Sequence, residues 1–413
     1  FINYKMKLLK DSQDVVEYIL PNYNKCLLKQ YKVSTYNNKS SKLLKILYSD
    51  MVIANKNFHN NKKKIYITIK NKQNFNIPVF ATLYMPNNIK EYINGSGFYQ
   101  VNYNFVINKR KINIYIMIYN INENIEKYNS WIYNMYLILY ICSIYSTSEC
   151  SKELNIYLFP THYKKILPTN TTTIGPANVN TAYTKRCQPN GEIIIYRLEE
   201  WFKVFIHESI HSFGLDINHN IEENINKKLS DFFSVNINFS ISEAYTESWA
   251  RILNIAVACF NNKNKNKNKP QDGETYFISQ TNFFLQLEKI FSIMQMNKVL
   301  NNMNLTYNLI TNKSKNSIII CQNLYKENTH VFGYYILTAI IMNRSIEFMD
   351  YCMKNNPCFL KFNQTNNNAN EIVKFIKQSY KAKMLTQCGK NIDNENTNDF
   401  IKNNIRMSAI EFI

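Results

Sequence analysis

The pentapeptide His207-Glu208-Ser209-Ile210-His211 restricts this chain more than any other stretch. In a helix, positions i and i+4 lie one above the other, so the two imidazoles share a face and can reach a single metal ion. The glutamate between them projects beside that pair, where it can accept a proton from water. With six histidines and 30 acidic residues in 413 positions, a chance His-acidic-x-x-His arises about 0.006 times per chain. Two unrelated surface histidines are therefore a poor account of the motif.

The neighbouring residues supply what such a helix needs. Phe202, Phe205, Ile206, Ile210 and Phe213 recur at spacings of three and four, which predicts a helix over 199–213 with one buried face. Gly214 marks its stop. Upstream, Pro189-Asn190-Gly191 is a turn signal and Ile193-Ile194-Ile195 a β-branched run. Together they predict a strand leading directly into the helix.

Two histidines do not complete a catalytic site, which takes three protein ligands and one open position. A third histidine six residues after His211 is missing, because that position is Ile217, and Asp216 and His219 are out of register. The better candidate is Glu243, followed one turn later by Glu247 on a segment that stays helical in pattern through Ala256. A carboxylate behind a ligating imidazole fixes its tautomer and raises its basicity. The bland alternative for the two glutamates is one solvated acidic helix face.

Through His207, Glu208, His211, Glu243 and Glu247 the chain resembles the gluzincin branch of the zincin metallopeptidases, over roughly residues 130–260. The resemblance implies an α+β fold, in which a small sheet packs on the H-E-x-x-H helix and on a glutamate-bearing helix. It implies Zn2+ held by His207, His211 and Glu243, with Glu208 as general base and Glu247 bracing a ligand histidine. It also implies a protein or peptide substrate, bound as an added strand at the sheet edge. A tyrosine or histidine outside the zinc helices stabilises the oxyanion in many such enzymes, and His330 with Tyr334 is the candidate cluster; the alternative is that these are core aromatics at a helix start. The segment Arg197-Leu198-Glu199-Glu200-Trp201-Phe202-Lys203 and the composition are also similar to uncharacterised H-E-x-x-H proteins of large DNA viruses.

Abundant Asn, Lys, Ile, Tyr and Phe beside only 8 Gly and 9 Pro reflect an AT-rich coding bias more than a fold. The net charge of +19 leaves open a basic nucleic-acid-binding protein, although lysines dispersed among asparagines read as solvated faces. A catalytically silent structural protein on a zincin fold is the other rival, and an intact Glu208 argues against it. Nine cysteines without a C-x-x-C pair read as free thiols of a reducing cytoplasm, host or virion. No leader is visible, and the start at Phe1 leaves a segment upstream open. The apolar run 130–147 contains Tyr, Asn and Ser and falls short of a membrane span.

Four regions follow from the pattern: a mixed α/β region at 1–125, the catalytic core at 126–260, a disordered Asn/Lys insertion at 261–273, and a helical lobe at 274–413. Within them the sequence predicts strands at 64–69, 111–118 and 154–159, a buried helix at about 124–146, and C-terminal helices at 275–299, 328–352 and 369–382.

Overall fold

The structure is a computed structural model that describes residues 8–22, 38–73, 84–265, 273–387 and 399–412. In chain order its longer elements are α1 (Lys10–Asn22), α2 (Asn38–Asn61), β1 (Tyr66–Gln73), α3 (Asn87–Gly95), β2 (Phe98–Ile107), β3 (Arg110–Ile118), α4 (Tyr128–Tyr145), β4 (Glu153–Leu158), β5 (Ala182–Thr184) and β6 (Asn190–Ile195). Then come α5 (Trp201–Ser212), α6 (His219–Leu229), α7 (Ile241–Lys265), α8 (Gly273–Asn302), α9 (Lys315–Leu324), α10 (Thr338–Asn343), α11 (Ser345–Asn355) and α12 (Asn366–Ser379). The chain is thus mixed α+β, and it divides into two compact units: Leu47–Lys165 with Val179–Asp216, and Phe1–Ile46 with Ile166–Asn178 and Ile217–Ile413. These units are discontinuous in sequence, unlike the four consecutive regions drawn from the pattern.

The first unit holds one six-stranded sheet in the order β1-β2-β3-β4-β6-β5. The β2–β3 hairpin turns through Asn108 and Lys109, both at positive φ, as a two-residue turn matched to strand twist requires. The next two pairings, β3–β4 and β4–β6, are parallel, and β5 closes the order as an antiparallel edge. Alternation sorts the faces. Val101, Tyr103, Ile112, Ile114, Ile116, Leu154, Ile156, Ile193 and Ile195 are all buried. The other face carries an amide ladder in which Asn104 donates to Asn113 and Asn113 to Asn155. Helix α4 packs on β2 and on α5. Its core positions 135–139 are buried on consecutive residues, the pattern of a helix enclosed on all sides. No helix among the described residues is long and apolar enough to cross a membrane.

The second unit is helical. Helices α7, α8 and α10 pack mutually, and α6 packs on α12. The segment predicted as one helix over 328–352 is instead a π-helical turn (Phe332–Leu337) running into α10, followed by α11 after a break at Arg344. A buried strap over 404–410 crosses this unit. Lys298 Nζ donates to the Asn404 carbonyl at 2.7 Å, and Glu288 Oε1 accepts from the Ala409 amide at 2.8 Å. Leu8 and Phe412 bridge in antiparallel fashion, and the Glu411 amide donates to Ser12 Oγ at 2.8 Å. Of the predicted Asn/Lys insertion, Asn261–Lys265 belongs to α7; residues 266–272 lie outside the described set, as do Cys26 and Cys388.

Candidate metal centre

Helix α5 is fixed at both ends before its histidines do anything. At its start, Glu200 adopts a left-handed conformation (φ +58°) and its carboxylate pairs with Lys165 at 2.7 Å, both side chains at most 1% exposed. The Lys165 amide donates to Glu199 at 2.6 Å. Arg197 donates to the carbonyls of Asn180 and Lys164, each at 2.8 Å. These contacts set the link between β6 and α5, and hence where the first turn points.

At the other end Gly214, with φ +64°, donates its amide to the His211 carbonyl at 2.9 Å while the Leu215 amide reaches back to the Ile210 carbonyl at 3.0 Å. That is a Schellman closure, which folds the chain back over the last helical turn. Asp216, out of register as a third ligand, is thereby returned to the helix, and its Oδ2 lies 2.7 Å from His211 Nδ1. Arg186 Nε holds the other carboxylate oxygen at 2.7 Å. The signal available in the sequence was Gly214 itself, since a left-handed cap reverses the chain. His219 begins α6 with its side chain 80% exposed and pairs with Glu223 at 3.3 Å.

A carboxylate at Nδ1 makes that nitrogen the donor, so a neutral His211 presents a bare Nε2. This Nε2 stands 3.1 Å from His207 Nε2. The contact suits either a proton or a cation between two nitrogens; two nitrogens at ~2.0–2.1 Å from one tetrahedral ion stand about 3.3 Å apart. Glu208 is 9% exposed. Its negative field, added to burial, Tyr84 and Glu192, helps push the Tyr183 phenol on β5 up to about 12.

In the helical unit, Glu243 occupies the first turn of α7 and is partly exposed on a helix otherwise buried around it. Glu247, one turn on, is 1% exposed and pairs with Arg251 at 2.9 Å, so it lies on no solvated acidic face. Arg251 also donates to Ser292 Oγ at 2.6 Å. His330 Nδ1 lies 2.6 Å from Ser240 Oγ, and its ring sits 6.2 Å from that of Tyr334. His330 is exposed and Tyr334 partly so, hence neither is a core aromatic. Gly333 explains the close approach: a Cβ there would meet the Ser240 carbonyl at 2.7 Å and Glu243 Cβ at 3.4 Å.

One donor atom each from His207, His211 and Glu243 lie within 4.8 Å of one another, and this is the set among the described residues that could hold a metal ion. Two imidazoles and a carboxylate are a donor set that fits zinc.

The cysteines also depart from the sequence reading. Cys142, Cys259, Cys321 and Cys352 are free, but Cys150 and Cys187 form a disulfide. Each stands three residues before a register partner, Glu153 on β4 and Asn190 on β6, so parallel pairing brings them together across 37 residues. No local motif could announce that. No family profile matches the chain, and no curated protein or solved structure does so either.

Proposed function

We propose that this chain is a zinc-dependent hydrolase of peptide bonds, with His207, His211 and Glu243 as ligands and Glu208 as the proton acceptor. The observation that carries the reading is the convergence of the three donor atoms within 4.8 Å. When bound, the zinc supplies Lewis acidity and makes water acidic near neutral pH. Glu208 accepts a proton from the attacking water and returns it to the departing amine. Asp216 keeps the His211 Nε2 lone pair free. Glu247, steadied by Arg251, braces a ligand imidazole, and His330 and Tyr334 donate to the developing oxyanion. An extended peptide adds to β5, the antiparallel edge beside α5, through backbone hydrogen bonds.

Separating metal binding from chemistry tests the reading. Glu208→Gln is expected to retain one zinc per chain and lose cleavage of a peptide library, whereas His211→Ala and Glu243→Ala lose the metal. Glu247→Ala is expected to weaken affinity by about 10–100-fold. Elemental analysis showing no transition metal in wild-type protein, or wild-type cleavage by Glu208→Gln, overturns the proposal.

A further inference from the structure

We propose that Asp216 is a positioning residue for His211, and that the Cys150–Cys187 disulfide, acting through Arg186, sets how firmly it holds that imidazole, so that metal affinity falls on reduction. The inference rests on the metal-site reading above and adds a redox dependence to it.

A run of connected contacts, all within the sheet-bearing unit, links the disulfide to the histidine. Arg186 is the residue next to Cys187, and its Nε and Nη2 donate to Asp216 Oδ1 at 2.7 Å and to the Asp216 carbonyl at 3.2 Å. The Cys187 amide donates to the His211 carbonyl at 3.2 Å, so the bridged residue is hydrogen-bonded to the same histidine whose ring Asp216 holds. The disulfide also forms the floor beneath the helix stop. A Cβ on Gly214 would lie 3.0 Å from Cys187 Cβ and 3.1 Å from Cys150 Sγ. On the β4 side, Ser151 Oγ donates to the Ser212 carbonyl at 2.9 Å and the Ser151 amide to the Gln188 carbonyl at 2.7 Å.

Cys150 is anchored just before β4 and buried, whereas Cys187 lies in the middle of the five-residue connection 185–189 between β5 and β6 and is partly exposed. With the bridge closed, residues 185–188 are tied covalently to β4, and Arg186 has one position from which to meet Asp216. With it open, that connection is held by hydrogen bonds alone, and Arg186, itself 36% exposed, gains freedom to leave. Asp216 then loses the cation that orients its carboxylate, and the direction of the His211 lone pair loosens with it.

The chemical step needs a two-electron reductant, and a dithiol is one class that supplies it. Its thiolate attacks the accessible Cys187 Sγ, the S–S bond breaks, and Cys150 leaves as thiolate and takes up a proton. The reagent's second thiol then displaces Cys187, giving two protein thiols and one cyclic disulfide of the reagent.

The test measures zinc affinity by competition with a chromophoric chelator, with far-UV circular dichroism as the folding control. Reduction uses a phosphine, removed before titration, so that no added thiol competes for zinc. Oxidised wild type is compared with reduced wild type, with Cys150→Ser/Cys187→Ser, which removes the thiols as alternative ligands, and with Asp216→Asn. Reduced wild type and the double serine variant are expected to bind about 10-fold more weakly, and Asp216→Asn about 10–100-fold more weakly. Reduction of Asp216→Asn is expected to add little, because both changes act on one contact. Equal affinity of oxidised and reduced wild type, or full additivity of reduction with Asp216→Asn, overturns this inference while leaving the zinc site intact. Absence of zinc binding by oxidised wild type overturns the site itself.

Discussion

Glu327 stands at the entrance of the segment that carries His330 and Tyr334. Its Oε2 accepts from the Tyr325 hydroxyl at 2.8 Å and from the Phe332 amide at 2.7 Å. Burial pushes its carboxyl up to about 7, against the pull of the hydrogen bonds from Tyr325, Phe332 and Val331. A folded-state value above the unfolded one means that the native state holds the proton more tightly. The contribution is therefore present below about 4.5 and is lost as pH rises from there through about 7. Glu327→Gln keeps a carbonyl for the Phe332 amide without a titrating group. Wild-type stability is expected to fall relative to this variant across that window and to run parallel to it above pH 8. Urea midpoints at half-unit pH steps check this, and a difference independent of pH contradicts it.

Gly333 shows how an element can depend on a missing atom. Helix propensity alone says that Gly→Ala stabilises by about 1 kcal/mol. Here the added methyl meets a backbone carbonyl, Ser240 O, at 2.7 Å, and overpacking of this kind costs about 1–3 kcal/mol. Gly333→Ala is expected to destabilise, read as a lower urea midpoint; a higher midpoint would mean that the π turn gives way freely. This π turn was invisible in the sequence, because Val331–Leu337 carries ordinary helical periodicity and only the close approach to α7 distinguishes it. What was legible is what local pattern encodes: the strand–helix sequence into α5, the enclosed helix α4, the strand at Arg110–Ile118 and the two histidines. What was not legible depends on pairing between distant strands or on a reversal past a cap. Cys150 with Cys187 belongs to the first kind, and Asp216 beneath His211 to the second.

At the scale of the whole molecule, the charge of +19 bears on stability before it bears on any partner. Like charges repel in the compact state, and salt screens that repulsion. The midpoint of thermal unfolding is expected to rise between about 20 and 200 mM sodium chloride, a range over which the screening length shrinks roughly threefold. A midpoint that stays level would mean that the lysines are already compensated by their acidic neighbours.

The buried strap over 404–410 carries a further consequence, one of timing. The helical unit closes on itself through residues from opposite ends of its sequence, since the amide of Glu411 reaches Ser12 across 399 positions. The sheet-bearing unit needs nothing beyond Asp216. A ribosome adding ~5–20 residues per second leaves α1 waiting about 20–80 s for its partner strand. From the end of α8 at Asn302 until the strap is made, about 100 residues or roughly 5–20 s later, Lys298 and Glu288 have no strap to bond, and the apolar faces of α8 stay open to solvent. The sheet-bearing unit, whose helix α5 carries the two imidazoles, is already complete in sequence by then. Newly made chains are therefore expected to be most vulnerable to proteases and most attractive to chaperones between the completion of α8 and the arrival of the strap that closes the lobe.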